Sequence, residues 1–329
     1  MLMHMRQAEK TCLSGHAGRA GRIHSFEVRR VGAYVKKGLF TGGLLAFMVV
    51  LLWKNAVVGQ AVREGLALCG RSVIPSLFPF FVTISFAIAC GFFDVLRQMR
   101  LPMEAAVFLL GIIGGYPVGG RTIGELYRSG SISREKAEAL LTFCNNAGPS
   151  FILSIAGAGV FGSSRIGLAL YAVHGVSALA TGGLLGAFRE TGSASERRAL
   201  TPVRSRGAPS IPAAFVTCVR NAALTMLHIC AFVIFFLALM ALVRQAWPAV
   251  PPLILGLLEL TGGVTALPDS AVGFVMAAAL LGWGGVSVHC QTAAVLEDTG
   301  LRMGRYLLAK ALQGILSALL ALLLCRFLF

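Results

Sequence analysis

Gly111-Ile-Ile-Gly-Gly-Tyr-Pro-Val-Gly119, followed further on by Phe143-Cys-Asn-Asn-Ala-Gly-Pro-Ser-Phe151, decides how this chain folds. Both stretches lie inside apolar sequence, and between them they hold what a plain membrane helix avoids: paired glycines, prolines and adjacent side-chain amides. In hydrocarbon every backbone N–H and C=O must find a partner inside the protein. Broken helix therefore survives there only where it faces protein or a water-filled cavity. Discontinuous helices at membrane depth are how secondary transporters build their substrate sites. The two stretches predict a broken-helix membrane protein, with the remaining sequence as its frame.

Composition agrees. The chain has 329 residues, of which 56% are hydrophobic and only 13% charged, with a mean hydropathy of +0.77; soluble domains carry about 25% charged residues. This implies an all-α polytopic membrane protein with the lipid bilayer as its surroundings. The formal charge of +15 is spread along the N-terminus and short loops. That fits the positive-inside bias of membrane proteins rather than a nucleic-acid partner. The cysteines show no C-x-x-C spacing, so neither a zinc site nor a disulfide framework is indicated, and no cofactor or metal is expected. H-E-x-x-H, G-x-S-x-G and the P-loop are all missing, and the reading is not an enzyme.

Four regions follow in order. Residues 1–37 read as a basic, disordered cytoplasmic tail. Residues 38–188 hold a first span (about 38–58) and a first membrane repeat. Residues 189–212, rich in arginine, proline and serine, read as a cytoplasmic linker, and residues 213–329 as a second membrane repeat. Residues 60–72 are amphipathic and suit the membrane interface. The apolar run at 104–116 is shorter than the roughly 20 residues a spanning helix needs, and reads as a re-entrant arm. Ser133 is placed as an N-cap, with Glu135 in the first turn behind it. The following helix stops at Asn145-Asn146-Ala147-Gly148, and Pro149 opens the next. In the second half, Gly262-Gly263 and Gly282-Trp-Gly-Gly285 repeat the breaks.

The halves align on one another. Tyr171-Ala-Val-His-Gly175 falls on Lys310-Ala-Leu-Gln-Gly314, and the same shift lays Asn145-Asn146 onto Gly284-Gly285. Leu110-Gly-Ile-Ile-Gly-Gly115 resembles Leu258-Glu-Leu-Thr-Gly-Gly263. With Arg97, Arg100 and the linker all cytoplasmic, the halves enter the membrane from opposite sides, which makes them inverted repeats. Fixed positive charge inside the membrane reads as scarce.

Gly115-Tyr-Pro-Val-Gly119, Glu125-Leu-Tyr127, Ser133-x-Glu-x-Ala-Glu138-x-Leu-Leu, Phe143-Cys-Asn-Asn-x-Gly-Pro149 and Phe161-Gly-Ser163 together resemble the sporulation integral membrane protein family of the YlbJ (SpoVV) type. The resemblance covers residues 38–329 and leaves the tail outside. It implies kinship with nucleoside-recognition Gate-domain proteins and an architecture similar to concentrative nucleoside transporters. It also implies movement of dipicolinic acid into the forespore, across the cell membrane or outer forespore membrane of a spore-forming bacterium. It carries Tyr116, Pro117, Asn145, Asn146, Gly148 and Pro149 over as substrate-binding residues.

From the residues themselves, Ser150 and Arg121 join that set, the latter as a bidentate partner for a carboxylate. Ser287, His289 and Gln291 join it as polar side chains in an apolar helix at positions matching the Asn-Asn break of the other half. Gly114, Gly115, Gly284 and Gly285 are the structural breaks, and Glu259 is the candidate for ion coupling. The expected ligand is a small planar anion. A nucleoside or other small metabolite is the runner-up, and a non-transporting spore-envelope assembly protein the third reading. Homo-oligomerisation is left open.

Overall fold

The computed structural model describes residues 36–92, 95, 98, 102–188 and 210–329. The tail through residue 35, Arg97, Arg100 and linker residues 189–209 lie outside the described residues. All regular structure among the described residues is helical. Five helical stretches among them are long and apolar enough to cross a membrane, one of which, Ala271–Val295, is broken at Gly284.

The first of them, α1 (Lys36–Trp53), forms a unit with the residues up to Ala56. It exposes its apolar side chains along its whole length. The expected span reached residue 58; instead the helix ends at Trp53, with a turn at Lys54.

The second unit begins at Val57 and holds everything else. Helix α2 (Asn55–Leu68) runs through a wide π-turn at Cys69–Val73 into α3 (Ile74–Ala89). The buried side of α2 carries Gly65, where a β-carbon would stand 3.1 Å from the Ile234 side chain. That helix thus packs on protein along one face, where sequence alone suggested the membrane interface. Then come α4 (Met103–Gly114), α5 (Val118–Arg128), α6 (Arg134–Cys144), α7 (Ser150–Val160, wound as a π-helix) and the span α8 (Ser164–Leu184). Ser133 caps α6, accepting a hydrogen bond from Lys136 N at 3.2 Å, and Ser163 caps α8 in the same way through Ile166 N at 3.3 Å.

Helix α9 (Ile211–Ala246) is one unbroken element of 36 residues that carries a polar start, Arg220-Asn221, ahead of its apolar part. At 1.5 Å per residue it extends roughly 54 Å, well beyond the ~30 Å hydrocarbon layer. Its N-terminal turns therefore have room to stay outside the membrane, which reconciles the polar start with a single helix. The last elements are α10 (Pro252–Leu258), α11 (Leu260–Thr265), α12 (Ala271–Trp283), α13 (Gly285–Val295) and α14 (Gly304–Leu328).

The order from α4 to α8 is helix, break, helix, turn, helix, break, helix, long helix, and α10 to α14 follow the same order. The terminal helix of each half, α8 and α14, lie side by side and antiparallel. Arg305 at the start of α14 donates to Leu185 O at the end of α8 (2.7 Å), and Arg165 at the start of α8 donates to Phe327 O at the end of α14 (3.4 Å). Near their middles Ser177 and Ser317 share a hydrogen bond of 2.7 Å.

The breaks are close-packed, and glycine is what lets them be. Gly111 and Gly119, on the two sides of the first break, both press against the end of α6. A β-carbon would fall 1.8 Å from Cys144 O at the first position and 2.1 Å at the second. At the tip of the arm Gly115 has φ +80°, a region side chains rarely adopt.

Candidate functional site

Two helix breaks in each half set the site. In the first half, the chain reverses at Gly115-Tyr116-Pro117, through a cis Tyr116–Pro117 peptide, and its helix is interrupted again at Asn145–Pro149. In the second half it breaks at Glu259, between α10 and α11, and at Gly284, between α12 and α13, with φ +93°. The breaks converge. A β-carbon on Gly115 would lie 3.0 Å from Gly148 N, and one on Gly284 3.3 Å from the Tyr116 ring.

A cavity of about 470 Å³ opens at this junction. Gly114, Gly115, Tyr116, Gly148 and Ser150 of the first half line it, and so do Glu259, Thr261, Val288 and Gln291 of the second. Aromatic and aliphatic groups, among them Phe80, Phe151, Ile155 and Leu260, supply the apolar wall. Arg71, exposed in the π-turn between α2 and α3, also lines it and has no ion-pair partner among the described residues. A volume in the range of small-molecule sites, an apolar lining and a few convergent polar groups are what a ligand pocket needs.

The polar side chains predicted from sequence divide into those that line the cavity and those that hold its walls. Both asparagines are fully buried, and neither is among the lining residues. Asn145 Oδ1 accepts from Gly120 N (3.1 Å), while its amide donates to Thr292 Oγ1 (2.9 Å) and Tyr306 OH (3.2 Å). It thereby ties the Asn-Asn break to α5, α13 and α14. The amide of Asn146 donates to Phe143 O (2.7 Å), and its Oδ1 accepts from Gln313 Nε2 (3.2 Å) and Lys310 Nζ (3.5 Å). Pro117 and Pro149 sit at the starts of α5 and α7 and lie behind the lining residues.

Arg121 turns away from the cavity. It pairs with Glu125 (2.9 Å), donates to Thr225 and lies over the Phe81 ring at 5.4 Å. Of Ser287, His289 and Gln291, only Gln291 lines the cavity, and its amide donates to Ser287 Oγ at 3.2 Å. His289 stands two residues from both partners on the same helix, so it points elsewhere. It packs edge-on against Trp283 and meets Tyr306 OH at 3.1 Å through Nδ1.

Glu259 is 2% exposed and caps α11, accepting from Thr261 N (3.1 Å) and Gly262 N (2.7 Å). Its carboxylate thus spends its acceptors on helix N–H groups, the usual way a buried anion is held.

The expectation that buried positive charge is scarce is overturned by Lys310. This residue is completely buried in α14. Its amine donates to Gln313 Oε1 (2.7 Å), Tyr116 OH (3.3 Å) and Asn146 Oδ1 (3.5 Å), and lies 5.1 Å from the centre of the Tyr116 ring. Tyr116 OH in turn donates to Leu281 O (3.2 Å). His174, read from sequence as a packing residue, accepts from Ala147 N through Nε2 (3.0 Å) and so satisfies the backbone of the Asn-Asn break. Its Nδ1 then carries the proton, and it is buried with no partner among the described residues. Lys310 could have been found from sequence, because an ionisable residue inside an apolar span is a functional candidate by default. Arg71 gave no comparable signal, since it sits in an amphipathic stretch where exposed arginines are ordinary.

Among curated proteins, the chain is 26% identical to the sporulation integral membrane protein YlbJ of Bacillus subtilis (strain 168) over 315 residues, 81% of this chain and 77% of the relative. The similarity supports the YlbJ-type family that the sequence motifs resemble. An integral membrane relative and several apolar helices together support a multi-pass membrane protein. No family model matches the chain, and no solved structure matches it significantly.

Proposed function

We propose, from the chain's place among YlbJ-type sporulation membrane proteins and from its cavity, that it is a carrier of a small organic anion. Dipicolinate on its way into the developing spore, across the cell membrane or the outer forespore membrane, is the substrate this reading favours. The observation that carries it is the convergence of helix breaks from both halves on one cavity of about 470 Å³. Broken helices from two halves that meet at one cavity are the arrangement by which transporters with internal repeats hold a solute near the midplane. The antiparallel α8 and α14 support reading the halves as inverted repeats. An architecture similar to concentrative nucleoside transporters is part of the same proposal.

The ligand chemistry follows from the lining. Tyr116, Phe80 and Phe151 suit a flat ring, and Arg71 at the exposed edge suits a carboxylate. Asn145 and Asn146 act in this reading by fixing the wall, since their amides are engaged within the protein. That leaves less amide to read the edge of a nucleoside base than the sequence suggested.

Proteoliposomes containing the purified chain should take up labelled dipicolinate saturably, and labelled nucleoside should not compete. A hydrogen bond to a charged group contributes about 1.5–3 kcal/mol, so Arg71→Gln should weaken apparent affinity roughly tenfold to a hundredfold. Uptake no faster than in empty liposomes would overturn the carrier reading, and uptake of nucleoside alone would replace the substrate class.

A further inference from the structure

We infer that Lys310 is the charge-selecting residue of this cavity: a buried ammonium that acts through Tyr116 to favour dianionic ligands over neutral ones of the same shape. The inference rests on the anion-carrier reading and deepens it. Burying a cation at membrane depth is costly, and such residues are normally paired or functional. Lys310 forms no ion pair among the described residues, and its three hydrogen bonds there go to neutral oxygens, on Gln313, Tyr116 and Asn146. Three acceptors match the three donors of an ammonium, so the charge is solvated by the fold but left uncompensated. Tyr116 is the link to the ligand. It belongs to the cavity wall, and the lysine amine contacts both its hydroxyl and its ring face. In a low-dielectric interior an unpaired charge is felt across one side chain. Glu259 in the same wall carries the opposite sign but is turned onto the N–H groups of α11. Lys310 is therefore a positioning residue whose charge, rather than its contact, is the working element.

The test measures binding of two probes of matched shape to the purified full chain in detergent: pyridine-2,6-dicarboxylate and the uncharged pyridine-2,6-dicarboxamide. Wild type should prefer the dicarboxylate. Lys310→Met and Lys310→Gln should each weaken dicarboxylate binding at least about tenfold and leave dicarboxamide binding unchanged, so that the preference narrows by that factor to what Arg71 supplies. Lys310→Arg, which keeps the charge, should restore much of it. Equal loss for both probes would mean that Lys310 only holds the fold, and no loss would mean that its charge is not sensed; either overturns the inference while the carrier reading stands. A wild type that binds the two probes equally overturns it without any variant. A wild type that binds neither overturns the carrier reading as well.

Discussion

At the scale of single residues, the cavity poses an electrostatic problem that Glu259 makes explicit. An anion entering it shares the space with a carboxylate that is 2% exposed and lacks a cationic partner among the described residues. Like charges confined in a medium of low dielectric repel strongly, so an anion carrier built this way would move its substrate together with a proton or a metal cation. Glu259→Gln keeps an oxygen for one of the two N–H groups, of Thr261 and Gly262, that the two carboxylate oxygens accept, while removing the charge. The variant should bind dipicolinate at least as tightly as wild type, and its uptake should no longer respond to an imposed proton or sodium gradient. Gradient-driven uptake surviving in Glu259→Gln would rule this residue out as the coupling group. The sequence flagged Glu259, because a carboxylate beside paired glycines in an apolar run is conspicuous. It did not show that the neighbouring asparagines are consumed inside the protein. That depends on which groups stand opposite them, namely Gly120, Thr292, Tyr306, Lys310 and Gln313, and such partners are fixed only by the packing of distant segments.

At the scale of elements, the helix breaks were legible for a physical reason. Glycine, proline and asparagine punctuate a helix through backbone geometry that is local, so Gly114 to Pro117, Asn145 to Pro149 and Gly284 could be placed from sequence. Nothing local interrupts Ile211–Ala246; its polar stretch only altered which end lies outside the apolar layer. The clasp around the end of α6 shows what the punctuation accomplishes. Gly111 and Gly119 approach Cys144 O so closely that alanine at either must push α4 and α5 away from α6. Overpacking of this kind costs about 1–3 kcal/mol, occasionally more. Gly111→Ala and Gly119→Ala should each lower the thermal unfolding midpoint in detergent, while Gly42→Ala, with nothing within 4 Å of its β-carbon, should leave it near wild type. Midpoints unchanged in both clasp variants would refute the close approach.

At the scale of the whole membrane domain, the ends of α8 and α14 define two faces. Around the end of α8 and the start of α14 gather Arg128, Arg134, Arg302 and Arg305. Arg128 grips Asp298, with Nε 2.9 Å and 3.0 Å from its two oxygens, Arg134 donates to Gly300 O (3.0 Å), and Arg302 N donates to Glu138 (3.0 Å). Hydrogen bonds from Arg128 hold the Asp298 carboxyl below the usual carboxylate range. The tie between the α5–α6 turn and the 297–302 loop is therefore present above the ordinary carboxylate pKa and is lost only as pH falls through the lowered value. At the opposite ends of the same helices, Arg165 meets Phe327 O, and Phe274 packs near Phe161 and Phe329. Leu267, in the α11–α12 turn, joins that cluster. The α5–α6 turn and the α11–α12 turn thus lie at opposite ends of the α8–α14 pair, which is the placement the proposed inverted repeat calls for. Retained arginine marks the cytoplasmic side, and the linker that follows α8 in sequence is itself arginine-rich. In a background without reactive cysteines, a cysteine at Ser131 should be labelled by a membrane-impermeant maleimide only from the cytoplasmic side. A cysteine at Asp269 should be labelled only from the other. Both positions reacting from the same side would refute the inverted arrangement and leave the repeat as a likeness of helix order alone.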